Sequence, residues 1–225
     1  MLAKEESLGQ GFNLTHYLKA RQVAIGLTRQ FAYSLQVGVR ESEAHQQLQL
    51  LMEQEGIEKL WHPTKIRFGR NTLCSFRDPS FEDEKLAMGD IFYLDIGPVI
   101  LGHEADYGES FIQGSAPDAL VLASRDLFKS SEKKWLEDGL TGKELYQYAQ
   151  NEARLMGFEL EMRSSGHRLG DFPHAIHHKG KLLDWRQTPH RGVWILEIHL
   201  VDKTRERAAF FEDILGHESL TVQGV

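Results

Sequence analysis

One cysteine, Cys74, stands alone in 225 residues, so no disulfide can close within the chain, and a reducing compartment suits it better than a secreted one. The cytoplasm is the expectation. No apolar run approaches the length of about 18 residues that marks a membrane-spanning helix. Met1 to Glu6 carry charge without the apolar stretch of an export signal. The chain is therefore expected neither to be exported nor to span a membrane. Basic residues are outnumbered, 26 Lys and Arg against 33 Asp and Glu, giving a net charge of −7. That balance argues against a phosphate-tracking surface, so neither nucleic acid nor an anionic membrane is an expected partner. The six prolines nowhere gather into a linker, and 41% hydrophobic content suffices for one core, so residues 1–225 read as a single domain.

What is present is a change of texture along the chain. Leu14, Leu18, Val23, Ile25, Leu27, Phe31 and Leu35 recur at helical spacing and predict a helix over 13–36. A second helix, capped by Ser42 and carrying Ala44, Leu48, Leu51 and Met52, is expected to stop at Gly56. Residues 65–68 and 91–96 read as strands. Helical pattern returns over 118–137 and over 142–156, the latter with Thr141 as its cap. Strands are expected again over 158–162, 193–201, 208–215 and 220–222, and 179–191 reads as an exposed polar loop. The order is that of an α+β protein.

Three acids lie where acids are costly. Asp95 closes the run Ile91-Phe92-Tyr93-Leu94, Glu197 sits in the middle of Val193 to Val201, and Glu212 follows Ala208-Ala209-Phe210-Phe211. An unpaired buried carboxylate costs several kcal/mol, so each must be protonated, matched by a cation or bound to a metal. The Asp95 and Glu197 strands contain no Lys or Arg, which makes a metal the economical answer. Gly97, Pro98 and Gly102 mark a turn that brings Asp106 back on a returning strand. With the turn centred between Ile100 and Leu101, Asp95 and Asp106 would face each other, and a divalent cation would convert their repulsion into coordination. The competing reading places Asp106 on a solvent-exposed hairpin beside the polar Glu104, Tyr107 and Glu109.

Of the 11 histidines, His167 stands apart, because Ser164-Ser165-Gly166 before it and Gly170 after it allow close backbone approach. His174 follows seven residues on; His177 and His178 are less specific, and His16, His45, His62 and His217 lack supporting context. His103, Glu104 and His199 lie near enough to the acids to line a pocket or to support it from behind.

The order Asp95, Asp106, His167, Glu197, Glu212 resembles that of the pita-bread metallopeptidases, the family of methionine aminopeptidase, Xaa-Pro aminopeptidase and prolidase. Met88 to Gly97 looks like the strand of the family's first ligand, and Asp106 follows Asp95 by the eleven residues found in methionine aminopeptidases. Gly166-His167-Arg168-Leu169-Gly170 resembles the family's Gly-His-x-x-Gly segment, and Glu212-Asp213 with Leu220-Thr221 resembles its closing elements. The resemblance covers nearly the whole chain. It implies a pita-bread (creatinase/aminopeptidase-like) fold, a curved antiparallel sheet covered by helices. It also implies two divalent ions, Mn, Co, Zn or Fe, on Asp95, Asp106, His167, Glu197 and Glu212. His174 would contact substrate, and Glu197 would double as general base.

Departures accompany these matches. The family usually carries another histidine, a substrate contact, before the first Asp strand; residues 71–76 here read Asn-Thr-Leu-Cys-Ser-Phe. The fourth ligand is followed by Ile198 where the family has Pro, the segment after Glu212 is short, and the large N-terminal domain of the prolidases is expected to be absent, so the expected layout is closer to that of methionine aminopeptidase. The expected activity is hydrolysis of an amide bond in a short peptide, by a monomer or homodimer. Alternatives are another small C–N substrate, a metal-free or inactive module that only binds, and a metal-independent creatinase-like enzyme; survival of all five ligands disfavours the last two.

Overall fold

The computed structural model describes residues 3–114, 117–174 and 178–220. Helix α1 (Leu14–Ser34) starts at Asn13, whose side-chain oxygen accepts from the His16 N–H at 3.1 Å, and buries the stripe Tyr17, Ala20, Ala24, Leu27 and Phe31. Helix α2 (Glu41–Gln54) begins one residue before the expected cap. Ser42 is inside its first turn, and its N–H and hydroxyl both donate to Asp83 at 2.9 Å, so a carboxylate from a distant loop does the capping. Helix α3 (Ala119–Asp138) is capped by Asp118 and ends at Gly139 with φ +68. Helix α4 (Gly142–Leu155) opens on a reciprocal Thr141–Glu144 capping box.

The strands are β1 (Lys65–Phe68), β2 (Ile91–Ile96), β3 (Val99–Ile100), β4 (His103–Glu104), β5 (Tyr107–Ile112), β6 (Glu159–Leu160), β7 (His167–Arg168), β8 (Trp194–Val201) and β9 (Ala208–Ile214). Seven of them form an antiparallel sheet in the order β1-β2-β5-β9-β8-β6, with β7 also on β8 beside β6. The strand expected over 158–162 shrinks to two residues. Leu220 is outside any strand, and 221–222 lie outside the described residues. The segment 179–191 is not a plain exposed loop: a 3-10 turn at Leu182–Asp184 buries Leu182 and Trp185.

Two register details differ from expectation. The turn is centred between Leu101 and Gly102, which pair Ile100 with His103 across it. Both turn residues have positive φ, 52 and 75, the conformation that matches strand twist in a two-residue hairpin. Asp95 is consequently opposite Gly108 rather than Asp106, and Asp106 precedes β5 instead of belonging to a strand.

Helices α1 and α3 cover one face of the sheet, with α4 packed beside α3 and against β6, and α2 against β1. Polar groups on that face are paired. Glu109 meets Arg29 at 2.8 Å and Arg125 at 3.0 Å, and Asp213 meets Arg21 at 2.5 Å. The opposite face carries the candidate site, and β7 reaches it through Gly166. There φ is +69 and a Cβ would stand 2.3 Å from the Ile195 carbonyl oxygen. Gly166→Ala should cost about 2–4 kcal/mol through left-handed backbone strain and overpacking together. Urea denaturation of the metal-free protein measures this; an unchanged midpoint would show that β7 can withdraw from β8 freely.

Candidate metal centre

Strand pairing sets Asp95 opposite Gly108, Gly108 opposite Glu212, and Glu212 opposite Glu197. Directly opposed residues present their side chains to the same face, so one row across four strands carries three carboxylates and a glycine. Gly108 is the space that makes this row possible: a Cβ there would be 2.6 Å from Glu212 Oε1. Asp106 enters from the β4–β5 connection and His167 from β7, its Nε2 lying 2.8 Å from Asp106 Oδ2 and 3.9 Å from Glu197 Oε1. All five residues predicted as ligands are thus together. Asp106 is 2% exposed, which removes the surface-hairpin reading.

Among the described residues no Lys or Arg forms an ion pair with any of these four acids, whereas Glu109 on β5 and Asp213 on β9, on the other face, both have guanidinium partners. Asp95 Oδ1 and Glu212 Oε1 are buried without a hydrogen-bond partner. Burial and the neighbouring carboxylates push Glu197 up to about 7 and Glu212 well above the usual range; burial raises Asp95 to about 6 despite His62 nearby. Asp106 goes the other way, to about 2, because His62 and His167 outweigh its burial. His167 and His62 are both held at about 9, burial being overcome by Asp106 and, for His62, by Asp95 as well. Among the described residues, two groups of donors are close enough to share an ion: His62, Asp95 and Asp106, and Asp106, His167 and Glu212.

His62 is the residue that sequence reasoning missed. Its Nε2 lies 3.1 Å from Asp106 Oδ1 and 3.4 Å from Asp95 Oδ1. Trp61 beside it packs on the rings of His167 and His174, each 5.0 Å away. The segment 71–76, where a histidine was sought, supplies Ser75 and Phe76 to the pocket wall instead. His174 also lines the pocket. Glu104, 1% exposed, accepts from its backbone N–H at 3.1 Å and stands 2.5 Å from its Nδ1, so the Glu104 carboxylate orients the ring and leaves Nε2 available. His199 faces the pocket but is tied to the Thr72 carbonyl at 2.8 Å, and burial lowers its pKa, keeping it neutral. His103 anchors the start of α1 by accepting from the Asn13 N–H at 2.8 Å. His177 lies outside the described residues; His178 packs on Trp185 and Trp194, away from the acids.

Four strand-borne or loop-borne acids and at least one imidazole on an antiparallel sheet backed by helices define a pita-bread metallopeptidase type of protein. The chain belongs to metallopeptidase family M24, whose sequence profile matches residues 15–215. Solved structures with the same fold include the prolidase from Pyrococcus horikoshii OT3, at a TM-score of 0.71 and 19% identity over 92% of this chain and 59% of that one. The X-Pro aminopeptidase from Thermotoga maritima gives 0.71 and 18% over 92% and 62%. The methionine aminopeptidase from the same organism gives 0.70 and 15% over 90% and 93%. The chain therefore spans about three-fifths of the prolidase and X-Pro aminopeptidase chains it resembles. A comparison with curated proteins finds no match. No helix among the described residues is long and apolar enough to cross a membrane.

The donor set fits divalent ions: carboxylates and imidazole suit Mn, Fe, Co or Zn, and two buried oxygens lack a hydrogen-bond partner. Binding such an ion requires protons to leave. The raised groups stabilise the metal-free protein at low pH, and that contribution is lost as pH climbs past about 6 for Asp95, about 7 for Glu197 and about 9 for the two histidines. The metal-free melting temperature should therefore fall between pH 5 and pH 9. Apparent affinity for Mn(II) or Co(II) should rise over the same range, about tenfold per pH unit for each proton displaced. Calorimetric titrations at several pH values measure it, and a pH-independent affinity would contradict this charge arrangement.

Proposed function

We propose that this protein is a metal-dependent hydrolase of amide bonds in short peptides, an aminopeptidase or dipeptidase, working with two divalent ions on Asp95, Asp106, His167, Glu197 and Glu212. The observation that carries the reading is the asymmetry of the sheet: Glu109 and Asp213 on the helix side have arginine partners, and among the described residues Asp95, Asp106, Glu197 and Glu212 have none. Family membership agrees with it.

Divalent ions held by these groups lend Lewis acidity to a carbonyl and lower the pKa of a nearby water. The remaining work falls to the chain. Glu197, at the pocket end of the row of acids, can take the proton of the attacking water and later return it to the leaving amine. His174, whose Nδ1 is held by Glu104, presents its Nε2 lone pair to accept from the substrate amide N–H. Trp61, Phe76 and Tyr93 shield the acids on the apolar side of the pocket. The cavity measures about 510 Å³, the size of a di- or tripeptide site rather than a protein-binding groove. Arg77 and Lys179 line it as well, and a free C-terminal carboxylate suits them; Arg163 beside them is already paired with Asp78 at 2.8 Å and Glu161 at 3.0 Å.

Metal content and turnover on unblocked di- and tripeptides test the reading together. Asp106→Asn should abolish both, whereas Glu104→Gln should keep the metals and lower kcat about 10- to 100-fold, as loss of an orienting partner does. Dipeptides should be cleaved faster than their C-terminal amides. Full metal occupancy with no cleavage of any peptide or small amide would favour a binding module instead.

A further inference from the structure

Resting on the metal-centre reading above, we propose that His62 is a sixth protein ligand, so that each of the two metal positions has its own imidazole. The two histidines stand in matching relation to one carboxylate. His167 Nε2 is 2.8 Å from Asp106 Oδ2, and His62 Nε2 is 3.1 Å from Asp106 Oδ1. Each ring is oriented in the same way, through Nδ1 to a backbone carbonyl, Arg168 at 2.8 Å for His167 and Pro63 at 3.0 Å for His62. That contact fixes the Nδ1–H tautomer and turns the Nε2 lone pair toward the acids, which is how metal-binding histidines are usually held. The two donor groups share Asp106 alone, one containing His62 with Asp95 and the other His167 with Glu212.

The backbone around His62 is built for this placement. Leu60 bridges to Pro98, the Trp61 N–H donates to the Gly97 carbonyl at 2.9 Å, and the Trp61 ring N–H donates to the Ala105 carbonyl at 2.8 Å. The segment is strapped across the turn that joins Asp95 to Asp106. Gly97 admits it: a Cβ there would lie 2.2 Å from His62 Cδ2 and 2.5 Å from Trp61 Nε1. His62 is therefore held against its two acids from three sides, with 7% of its side chain exposed. A nitrogen donor in place of an oxygen donor biases that position toward Zn(II) or Co(II) and away from Mn(II).

The test uses the whole chain loaded with Co(II), with calorimetry, elemental analysis, visible absorption and X-ray absorption as readouts. Wild-type protein should bind two ions with two imidazoles between them. His62→Ala should keep the His167 position and lose the other, its affinity falling more than about 100-fold, beyond what loss of a supporting partner costs. The cobalt absorption should drop to that of a single site. Gly97→Ala, which leaves every donor in the sequence, should weaken the same position. His62→Ala binding two ions with unchanged affinity and spectrum, but with a higher KM, would make His62 a substrate contact and overturn the proposal alone. Wild-type protein that binds no ion would instead overturn the metal-centre reading. If His62→Ala does not fold, the imidazole count on wild-type protein decides: one imidazole for two ions refutes the sixth ligand.

Discussion

Repulsion among acids gathered on one row of a sheet is the constraint around which this protein is arranged. Asp95, Glu212 and Glu197 are linked through Gly108 by strand pairing, and Asp106 closes on them from a connecting segment. Like charges directly opposed in a sheet destabilise it, and burial deepens the cost. Proton uptake by Glu197 and Glu212 and the two imidazolium rings relieve it without a metal. Divalent ions would relieve it without those protons. The same groups therefore serve folding at low pH and metal binding at high pH, and their competition with protons is built into the sheet.

The helix face shows what the chain does when an acid is only structural. Glu109 neighbours Gly108 in β5, and Asp213 neighbours Glu212 in β9, so alternation sends each pair to opposite faces. Arg29 and Arg125 reach Glu109, and Arg21 reaches Asp213 in a two-pronged contact at 2.5 and 2.7 Å. On these two strands, guanidinium groups thus pair with the acids of the helix side and not with Glu212 on the other. An acid left without one beside its paired neighbour is a stronger sign of a ligand site than any acid considered singly.

Much of this was legible in the sequence because an acid inside an apolar strand is anomalous wherever the strand lies. Asp95, Glu197 and Glu212 each announce themselves this way, and Gly166 marks the close approach that positions His167. Asp106 lies beside the other acids, but not through the strand register that the sequence implies. Its register depended on a turn at Leu101 and Gly102, and a leucine at positive φ is not a turn signal that sequence patterns favour. His62 was illegible for a different cause. It lies in no periodic element, and what brings it to Asp106 is hydrogen bonding of Trp61 to residues 97 and 105, contacts that only the assembled turn creates.

Glycine carries the complementary half of the design. Gly97 and Gly108 have no need of unusual backbone angles, for neither has a positive φ, so conformational freedom does not explain them. Each is small because something else must occupy its side-chain space: the His62 ring at Gly97 and the Glu212 carboxylate at Gly108. Glycine usually weakens packing, yet here one in strand β5 and one in the connection after β2 open the volume in which charged donors from the next element converge. The stability forgone at these positions is structural cost borne by the sheet so that carboxylates and imidazoles can approach within bonding distance of one another. The site is thus defined as much by where side chains are withheld as by where acids and imidazoles are placed.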